Sequence, residues 1–206
     1  LSLDNWFVRP ELLSLYGQPE YERLSERERQ KLSFFETINF FSLNIHGEKA
    51  LMEGLAQRLY YERSREESAY LHHLLDEENK HMIYFGTFCT RYAGKIYADR
   101  KLVFPRDYAP GEEELLFFLK VFIFEEIVDL YNVETARDER VIPLCREINL
   151  AHHKDEVRHL AYGRVAIQNL AVEHMPKWDA NTLGNFRNYV AAYILTTWRE
   201  YYNPDV

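Results

Sequence analysis

Apolar residues recur at helical spacing along four long segments of the chain. The first segment begins at Ser25 and Glu28, whose spacing is that of a capping box, and it continues to about residue 59 in a pattern that allows a break near Ser33. The other three segments cover about residues 66–97, 112–135 and 142–172. No run of alternating polar and apolar residues is long enough to predict a strand, so the pattern predicts an all-α protein.

Two further stretches flank these four helices. Residues 1–24 hold Pro10 and Pro19 among large aromatic residues, which is typical of an irregular arm that packs by its side chains. Residues 179–202 carry apolar positions at helical spacing and predict a covering helix. We interpret residues 1–206 as a single domain, because a chain of this length can bury one sizeable core.

Acidic residues and a histidine interrupt the apolar stripes of the first three helices. Glu48 takes a position where an apolar residue is expected, and Glu78 and His81 share one face of the second helix. Glu125 and Glu126 lie among Phe and Ile residues in the third helix. A carboxylate in such surroundings is costly unless it is paired or bound to a metal ion.

The fourth helix carries the densest polar cluster. At about 100° per residue, His152, Glu156 and His159 fall within an arc of about 60° on one helix face. The other positions on that face are apolar or small, so these three groups are expected to point into the core. Two histidines alone are more often ordinary surface or core residues, but the matching cluster on the second helix favours a metal site.

The whole set matches a four-helix bundle with a di-metal carboxylate core. In that architecture two helices each supply one Glu, and the other two each supply a Glu-x-x-His motif. In this sequence the helices with one Glu would supply Glu48 and either Glu125 or Glu126. The two Glu-x-x-His motifs are Glu78 with His81 and Glu156 with His159. Four carboxylates with two or more imidazoles suit two Fe²⁺ or Mn²⁺ ions better than zinc.

Composition excludes several other classes of function. The formal net charge is −8, and no cluster of Lys and Arg is present, which argues against nucleic-acid binding. No apolar run approaches the roughly 20 residues that span a bilayer, so a membrane partner is not expected either. Cys89 and Cys145 lie far apart in helical patterns, which favours free thiols and predicts a cytoplasmic protein. No signal peptide is visible, although the sequence begins with Leu1 and not Met.

These motifs resemble those of the ferritin-like di-iron oxygenases, and within them the arylamine N-oxygenases of the p-aminobenzoate N-oxygenase type. The resemblance extends from about residue 21 to residue 175 and includes the segment 24–28 and both Glu-x-x-His motifs. His152 is its most telling residue, because ferritin-like proteins in general need only His159 at this end of the fourth helix. The resemblance selects Glu125 over Glu126 and implies seven metal ligands: Glu48, Glu78, His81, Glu125, His152, Glu156 and His159.

The resemblance implies a non-haem di-iron centre that uses O₂ to oxygenate an amine nitrogen, as in an arylamine. Manganese, or a mixed Mn/Fe pair, is an alternative metal content. A reductase or ferredoxin is expected as electron donor, and a homodimer is compatible with the pattern. No catalytic residue beyond the ligands is predicted. Glu77, His153 and Asp155 are suited either to contacts that support the metal-binding histidines or to solvent, and solvent is the expected location of each. The sequence has fewer residues before its first helix than typical family members, and those residues help to enclose the substrate. The resemblance therefore does not extend to the identity of the family's substrate.

Four other interpretations remain open from the sequence. A ferroxidase ferritin would use both Glu-x-x-His motifs but has no need for His152. A di-iron hydroxylase or desaturase would act on carbon. A radical-generating ribonucleotide reductase subunit requires a tyrosine one turn beyond His81, where this chain has Phe85. A metal-free helical protein would leave Glu48, Glu78 and Glu156 buried without partners, which is the costliest arrangement.

Overall fold

The computed structural model describes residues 1–60, 65–99 and 106–202. Within these residues the chain forms six α-helices and no strand, apart from one isolated bridge between Trp6 and Val141. The helices are α1 (Pro19–Arg23), α2 (Glu26–Arg58), α3 (Arg65–Phe88), α4 (Glu112–Arg137), α5 (Pro143–His174) and α6 (Ala180–Glu200). The prediction of an all-α protein is confirmed.

Four long helices, α2 to α5, build the bundle. α2 packs along α3 and α4 packs along α5, and further contacts between α2 and α4 and between α3 and α5 close the four-helix arrangement. The starts of α2 and α5 follow from local sequence: Ser25 and Glu28 form the predicted capping box, and Pro143 occupies the first turn of α5. No helix in the described ranges is long and apolar enough to cross a membrane.

Two apolar clusters fill the bundle at different heights. One includes Phe41, Phe85 and Val128, and the other includes Leu55 and Leu71. Because α2 runs through the first cluster before the second, while α3 runs in the opposite order, the middle of both helices lies between the clusters. The polar residues in the middle of these helices therefore share one layer of the core.

The break that the sequence allows near Ser33 is absent, and α2 continues through this position. The hydroxyl of Ser33 donates to the carbonyl of Gln30 within the helix and accepts a hydrogen bond from the backbone N–H of Phe7. A serine in a helix can bond to the preceding turn without ending the helix. The hydroxyl of Ser33 therefore holds the N-terminal arm against α2.

The second predicted helix is shorter than its apolar pattern. α3 ends at Phe88, a π-helical turn follows at Cys89–Ala93, and Gly94 then takes a left-handed conformation with φ of 65°. Tyr92 and Tyr97 still pack against the first apolar cluster, so the apolar spacing continues although the helix does not. Part of the predicted connection, residues 100–105, lies outside the described residues.

The N-terminal arm is anchored at several points and contains a short 3-10 turn as well as α1. The side chain of Phe7 is completely buried in the first apolar cluster. The carbonyl of Trp6 accepts a hydrogen bond from the N–H of Ile142, at the start of α5, and the guanidinium of Arg9 pairs with Glu134 on α4. The arm therefore contacts three of the four bundle helices.

The C-terminal helix α6 packs beside α4. Asp179 caps its N-terminus by accepting a hydrogen bond from the N–H of Thr182 at 2.7 Å. Phe186 packs with Leu115, Leu116 and Trp178 in a separate apolar cluster at the start of α4. The other side of α6 is exposed, as expected for a helix that covers a bundle.

Candidate metal centre

All seven predicted ligands are buried in the polar layer of the bundle, and none is more than 5% exposed. All four bundle helices contribute to the set. Glu48 comes from α2, Glu78 and His81 from α3, Glu125 from α4, and His152, Glu156 and His159 from α5.

Six of the seven side chains form two overlapping groups. The ligand atoms of Glu48, His81, His152 and Glu156 all lie within 4.8 Å of one another, and so do those of Glu78, Glu156 and His159. Glu156 belongs to both groups: its Oε1 lies 2.8 Å from Nε2 of His152, and its Oε2 lies 3.2 Å from Nδ1 of His159. One carboxylate is thus placed to reach two metal ions.

Glu125 lies beside these two groups, and its neighbour Glu126 does not. Glu125 lines one cavity together with Glu48 and a second one together with His159, which places it beside the cluster. Burial and the negative charges of Glu156 and Glu78 raise its pKa well above the usual value. The side chain of Glu126 is 41% exposed and pairs with Arg164 at the surface. The structure therefore directs Glu125, and not Glu126, into the core.

Several atoms of the cluster are left without protein partners. Among the described residues, no hydrogen bond of acceptable geometry reaches Oε1 of Glu78, Glu125 or Glu156, or Nε2 of His152. The 2.8 Å between Nε2 of His152 and Oε1 of Glu156 is short, but the two atoms are not oriented towards each other as donor and acceptor. Buried polar atoms of native proteins normally have partners, so this cluster fits bound cations, and its oxygen and imidazole donors suit iron.

Each of the three imidazoles is held by a hydrogen bond on its second nitrogen. Nε2 of His81 lies 3.1 Å from Oδ2 of Asp155, Nε2 of His159 lies 3.0 Å from Oε2 of Glu77, and Nδ1 of His152 lies 2.9 Å from Nδ2 of Asn132. These contacts leave Nδ1 of His81, Nδ1 of His159 and Nε2 of His152 directed at the cluster. The two carboxylates accept from His81 and His159 and so fix the orientation and tautomer of these rings for metal binding, whereas the amide of Asn132 donates to His152 and fixes the orientation of its ring.

The acids that hold His81 and His159 form a crossed arrangement. Each acid directly precedes the Glu of one Glu-x-x-His motif and contacts the histidine of the other motif. Arg158 joins the two acids, with hydrogen bonds to Asp155 at 2.7 Å and to Glu77. Glu77 and Asp155 therefore do not face solvent, which was the expected location, but take the alternative that the sequence left open, contact with the metal-binding histidines.

His153 was expected to face solvent together with Glu77 and Asp155, and it lies outside the cluster. Its Nδ1 contacts Oδ1 of Asp129 at 2.7 Å, and its side chain is 29% exposed. His153 and Asp129 thus form a His–Asp pair on the outer side of α4 and α5. This pair resembles the His81–Asp155 pair in chemistry but not in location.

The charges of the cluster strongly perturb one another. Burial raises the pKa of Glu48 to about 8, and the charge of Glu78 adds to the shift. Burial disfavours a charged His152, but Glu156 and Glu48 outweigh this effect and raise its pKa to about 10. Burial likewise opposes ionisation of Glu156, yet the charges of His152 and His159 hold its pKa below the usual range. Protons therefore neutralise part of the buried charge, and a bound cation would displace them.

A cavity of about 270 Å³ adjoins the cluster between α2, α4 and α6. The carboxylates of Glu48 and Glu125 form part of its wall, and apolar residues such as Leu51, Phe117 and Phe124 form much of the rest. No pocket residue could be selected from the sequence, because aromatic residues at helical spacing fill cores and line cavities alike. The cavity gives a small molecule access to the acidic side of the cluster.

A family model described as p-aminobenzoate N-oxygenase AurF matches residues 2–206. The chain belongs to this family. The match covers the arm, the four bundle helices and α6, so it includes every element that positions the cluster. No curated protein matches the chain.

The AurF family consists of di-iron N-oxygenases, which makes this chain an O₂-dependent oxidoreductase. The assignment bears out the resemblance to arylamine N-oxygenases and supports none of the four other interpretations. Within residues 1–60, 65–99 and 106–202, the buried cluster of carboxylates and histidines could hold the family's metal ions.

Proposed function

We propose that this protein N-oxygenates a small aromatic amine with a di-iron centre held by Glu48, Glu78, His81, Glu125, His152, Glu156 and His159. The observation that carries the proposal is the convergence of these seven buried side chains, with a third imidazole whose Nε2 has no hydrogen-bond partner among the described residues. When bound, the iron pair would supply the electrons that activate O₂ for transfer of one oxygen atom to the amine.

The charge of the site supports two divalent ions. Four carboxylates offset the four positive charges of two Fe²⁺ ions, so the loaded core would be close to neutral. The three histidines add neutral donors without adding charge. His152 in particular would complete the coordination of one ion while leaving this balance unchanged.

The protein's contribution is to orient the ligands and to exclude water. Asp155, Glu77 and Asn132 hold the three imidazole rings, and the ring of Phe85 packs edge-on against His152 with centroids 5.0 Å apart. The apolar clusters above and below the polar layer keep solvent from the ligands. The cavity beside Glu48 leaves one side open for an amine.

The overall reaction requires an external reductant. Conversion of an amine and O₂ to a hydroxylamine and water consumes two electrons and two protons. We therefore include a reductase or ferredoxin in the proposal as the electron donor. Iron is the proposed metal, since the family is a di-iron family.

The test begins with metal content. Protein reconstituted anaerobically with Fe²⁺ is expected to hold about two ions per chain, and Glu78→Ala together with Glu156→Ala should abolish this binding. Glu125→Gln and Glu126→Gln form a matched pair of neighbours, of which only the first should lower the iron content. Equal iron content in all variants would contradict the ligand assignment.

The second part of the test is turnover. Reduced, iron-loaded protein is mixed with O₂ and a series of aromatic amines, and products are identified by mass spectrometry. Hydroxylamine, nitroso or nitro products support the proposal. Oxidation of excess Fe²⁺ to a mineral core without any N-oxygenated product would overturn it in favour of iron storage.

A further inference from the structure

A path of short contacts connects the ligand cluster with the surface of the protein. Nδ2 of Asn132 lies 2.9 Å from Nδ1 of His152, and the residue before Asn132 on α4 is Tyr131. The ring of Tyr131 stacks on the ring of Tyr201 with centroids 4.9 Å apart, and the ring of Trp198 lies 6.2 Å from that of Tyr201. Trp198 is 40% exposed. The path therefore runs from one candidate ligand to solvent.

The residue types along this path are suited to electron transfer. Tyrosine and tryptophan are the aromatic side chains that give up one electron most readily, and electrons move rapidly between rings in contact. Another ring beside His152 belongs to Phe85, which contacts Phe41 in turn. Phenylalanine is much harder to oxidise than tyrosine. The route through Tyr131 is therefore the better conductor of the two.

A tyrosine that loses an electron also releases its phenolic proton, and a small cavity beside Tyr131 offers a route for this proton. The cavity has a volume of about 20 Å³, and its wall includes Glu36, Asn149 and Tyr201. Among the described residues, neither Oδ1 of Asn149 nor the hydroxyl of Tyr201 has a hydrogen-bond partner. A space of this size holds one water molecule, and buried water normally satisfies such polar atoms.

Glu36 is the acid in the wall of this cavity. Its carboxylate accepts hydrogen bonds from the N–H and the hydroxyl of Ser14 at 2.9 and 2.6 Å. Burial raises the pKa of Glu36, so its carboxylate takes up a proton more readily than an exposed one. Burial also raises the pKa of Tyr131, with smaller effects of Tyr202 and of the charge of Glu36. The phenol therefore keeps its proton until an electron leaves.

The proposed di-iron chemistry creates a need for such a path. Complete reduction of O₂ to water takes four electrons, of which the Fe²⁺ pair supplies two. An amine that becomes a hydroxylamine supplies the other two. Without an amine, the oxidised centre takes these electrons from elsewhere, and preventing damage by such side reactions falls to the protein.

We propose that Tyr131, Tyr201 and Trp198 form a redox relay that reduces the O₂-oxidised metal centre when no amine is bound, with Glu36 as acceptor of the phenolic proton of Tyr131. The inference rests on the proposed N-oxygenase function. It adds to that function a second activity, which protects the metal ligands from oxidation.

Each step of the relay balances in electrons and protons. One electron passes from Tyr131 to the metal centre, and the phenolic proton moves to Glu36 through the cavity. Trp198 then returns one electron to Tyr131 through the ring of Tyr201, Glu36 gives the proton back, and Trp198 releases its indole proton to solvent. A soluble thiol restores Trp198 by giving up one hydrogen atom, and two such thiols end as a disulfide. Two passages supply the two missing electrons.

Radical detection and site-resolved mass spectrometry test the relay. Reduced, iron-loaded protein is mixed with O₂ in the absence of amine and thiol, frozen for EPR spectroscopy and digested to map oxidised side chains. We expect a tyrosyl signal and oxidation products at Trp198. Tyr131→Phe keeps the stacked ring and should lose the signal and most of the Trp198 oxidation, with unchanged iron content. Tyr92→Phe is the matched control, since Tyr92 packs in the same apolar cluster but contacts Phe88.

Two further measurements separate the relay from simple exposure. H₂O₂ added to iron-free protein oxidises side chains according to their exposure, so it should modify Trp198 equally in wild type and in Tyr131→Phe. Glu36→Gln leaves Tyr131 in place but removes the proton acceptor, and it should weaken the tyrosyl signal.

Three results would overturn the inference. Absence of Trp198 oxidation in the iron-loaded wild type would mean that no electron leaves it. Equal Trp198 oxidation in Tyr131→Phe and wild type would mean that the oxidant reaches Trp198 through solvent. A tyrosyl signal that survives Tyr131→Phe and disappears in Tyr84→Phe would assign the radical to the tyrosine beside His81, whose ring centroid is 6.4 Å from that of Tyr84.

Addition of aromatic amines separates this inference from the proposed function. An amine that is N-oxygenated should suppress the oxidation of Trp198. If amines are N-oxygenated but neither Tyr131 nor Trp198 is oxidised in their absence, the proposed function stands and the inference fails. If iron and O₂ oxidise Trp198 through Tyr131 but no amine is ever N-oxygenated, the relay stands and the proposed function fails.

Discussion

Oδ2 of Asp155 lies 3.1 Å from Nε2 of His81, although the two residues are on different helices and 74 positions apart in the chain. Glu77 repeats this relationship with His159 in the opposite direction between α3 and α5. The two helices therefore depend on each other for the orientation of their histidines. This dependence makes the acids suitable targets for mutation.

Asp155→Ala is expected to weaken iron binding by about 10- to 100-fold, because the ring of His81 loses the contact that orients it. Anaerobic Fe²⁺ titration against a competing chelator measures this change. Asp129→Ala is the matched control, since it removes the acid of the His153–Asp129 pair, which does not contact the cluster. Equal losses in both variants would show that Asp155 acts through general stability and not through His81.

His152→Ala separates iron binding from amine oxygenation. The remaining six ligands should retain most of the iron, whereas single-turnover N-oxygenation should fall by at least tenfold, because one ion loses a neutral donor. Asn132→Leu should cause a smaller loss, since it removes only the hydrogen bond to Nδ1 of His152. A His152→Ala variant that oxygenates amines as well as wild type would exclude His152 as a functional ligand.

Gly54 provides a test of the contact between α2 and α4. Gly54→Ala is expected to destabilise the protein by about 1–3 kcal/mol, because the new methyl group overlaps the ring of Phe117. In a Phe117→Leu background the same change should stabilise by up to about 1 kcal/mol, through the higher helix propensity of alanine. Denaturant unfolding of both pairs measures this reversal of sign.

Gly184 in α6 is the control for that experiment. A Cβ at this position meets no atom within 4 Å, so Gly184→Ala should stabilise the protein in both backgrounds. If Gly54→Ala stabilised the wild-type background as well, the close contact with Phe117 would be refuted.

Glu36 gives a prediction for the dependence of stability on pH. Burial raises its pKa, although hydrogen bonds from the hydroxyl and N–H of Ser14 partly oppose the shift. Because the folded state then binds the proton more tightly than the unfolded state, the free energy of unfolding falls as the pH rises from about 4.5 through the folded pKa. Glu36→Gln should be more stable than wild type at pH 8, and this advantage should disappear towards pH 4.5.

Glu28 has the opposite behaviour and serves as the comparison. Its hydrogen bonds with Ser25 lower its pKa, so its contribution is present above the unfolded pKa and is lost as the pH falls through the folded value. Glu28→Gln should therefore be less stable than wild type at pH 8, with a difference that closes in acid. Urea unfolding at several pH values measures both variants, and parallel curves would contradict the two predictions.

The sequence was sufficient to predict the four bundle helices, the covering helix and the burial of the seven candidate ligands, because these follow from periodicity. It overestimated the second helix, since Tyr97 remains packed in the core after Gly94 has ended the helix. Periodicity reports burial and does not report backbone conformation. The break that the sequence allowed at Ser33 is absent for a related reason, because a polar residue in a helix can form a hydrogen bond within its own turn.

Glu77 and Asp155 could not be assigned to the histidines from the sequence, because these contacts depend on the distance between two helices. Glu77 lies about 100° from Glu78 around α3, which on a single helix predicts a position at the edge of the buried face. The partner of Glu77 is His159 on α5, and the exposed Arg158 forms ion pairs with both Glu77 and Asp155. Only the packing of α3 against α5 reveals that these residues act together.

The N-terminal arm links the order of synthesis to the completion of the fold. Arg9 is translated 125 positions before its partner Glu134, and Trp6 is made before Ile142, whose N–H it accepts. On the ribosome the arm can meet α2 first, through the contacts of Phe7 with Ser33 and Phe34. Its contacts with Glu134 and Ile142 can form only after α4 and the start of α5 have been made, so the arm is made first and its docking is completed late.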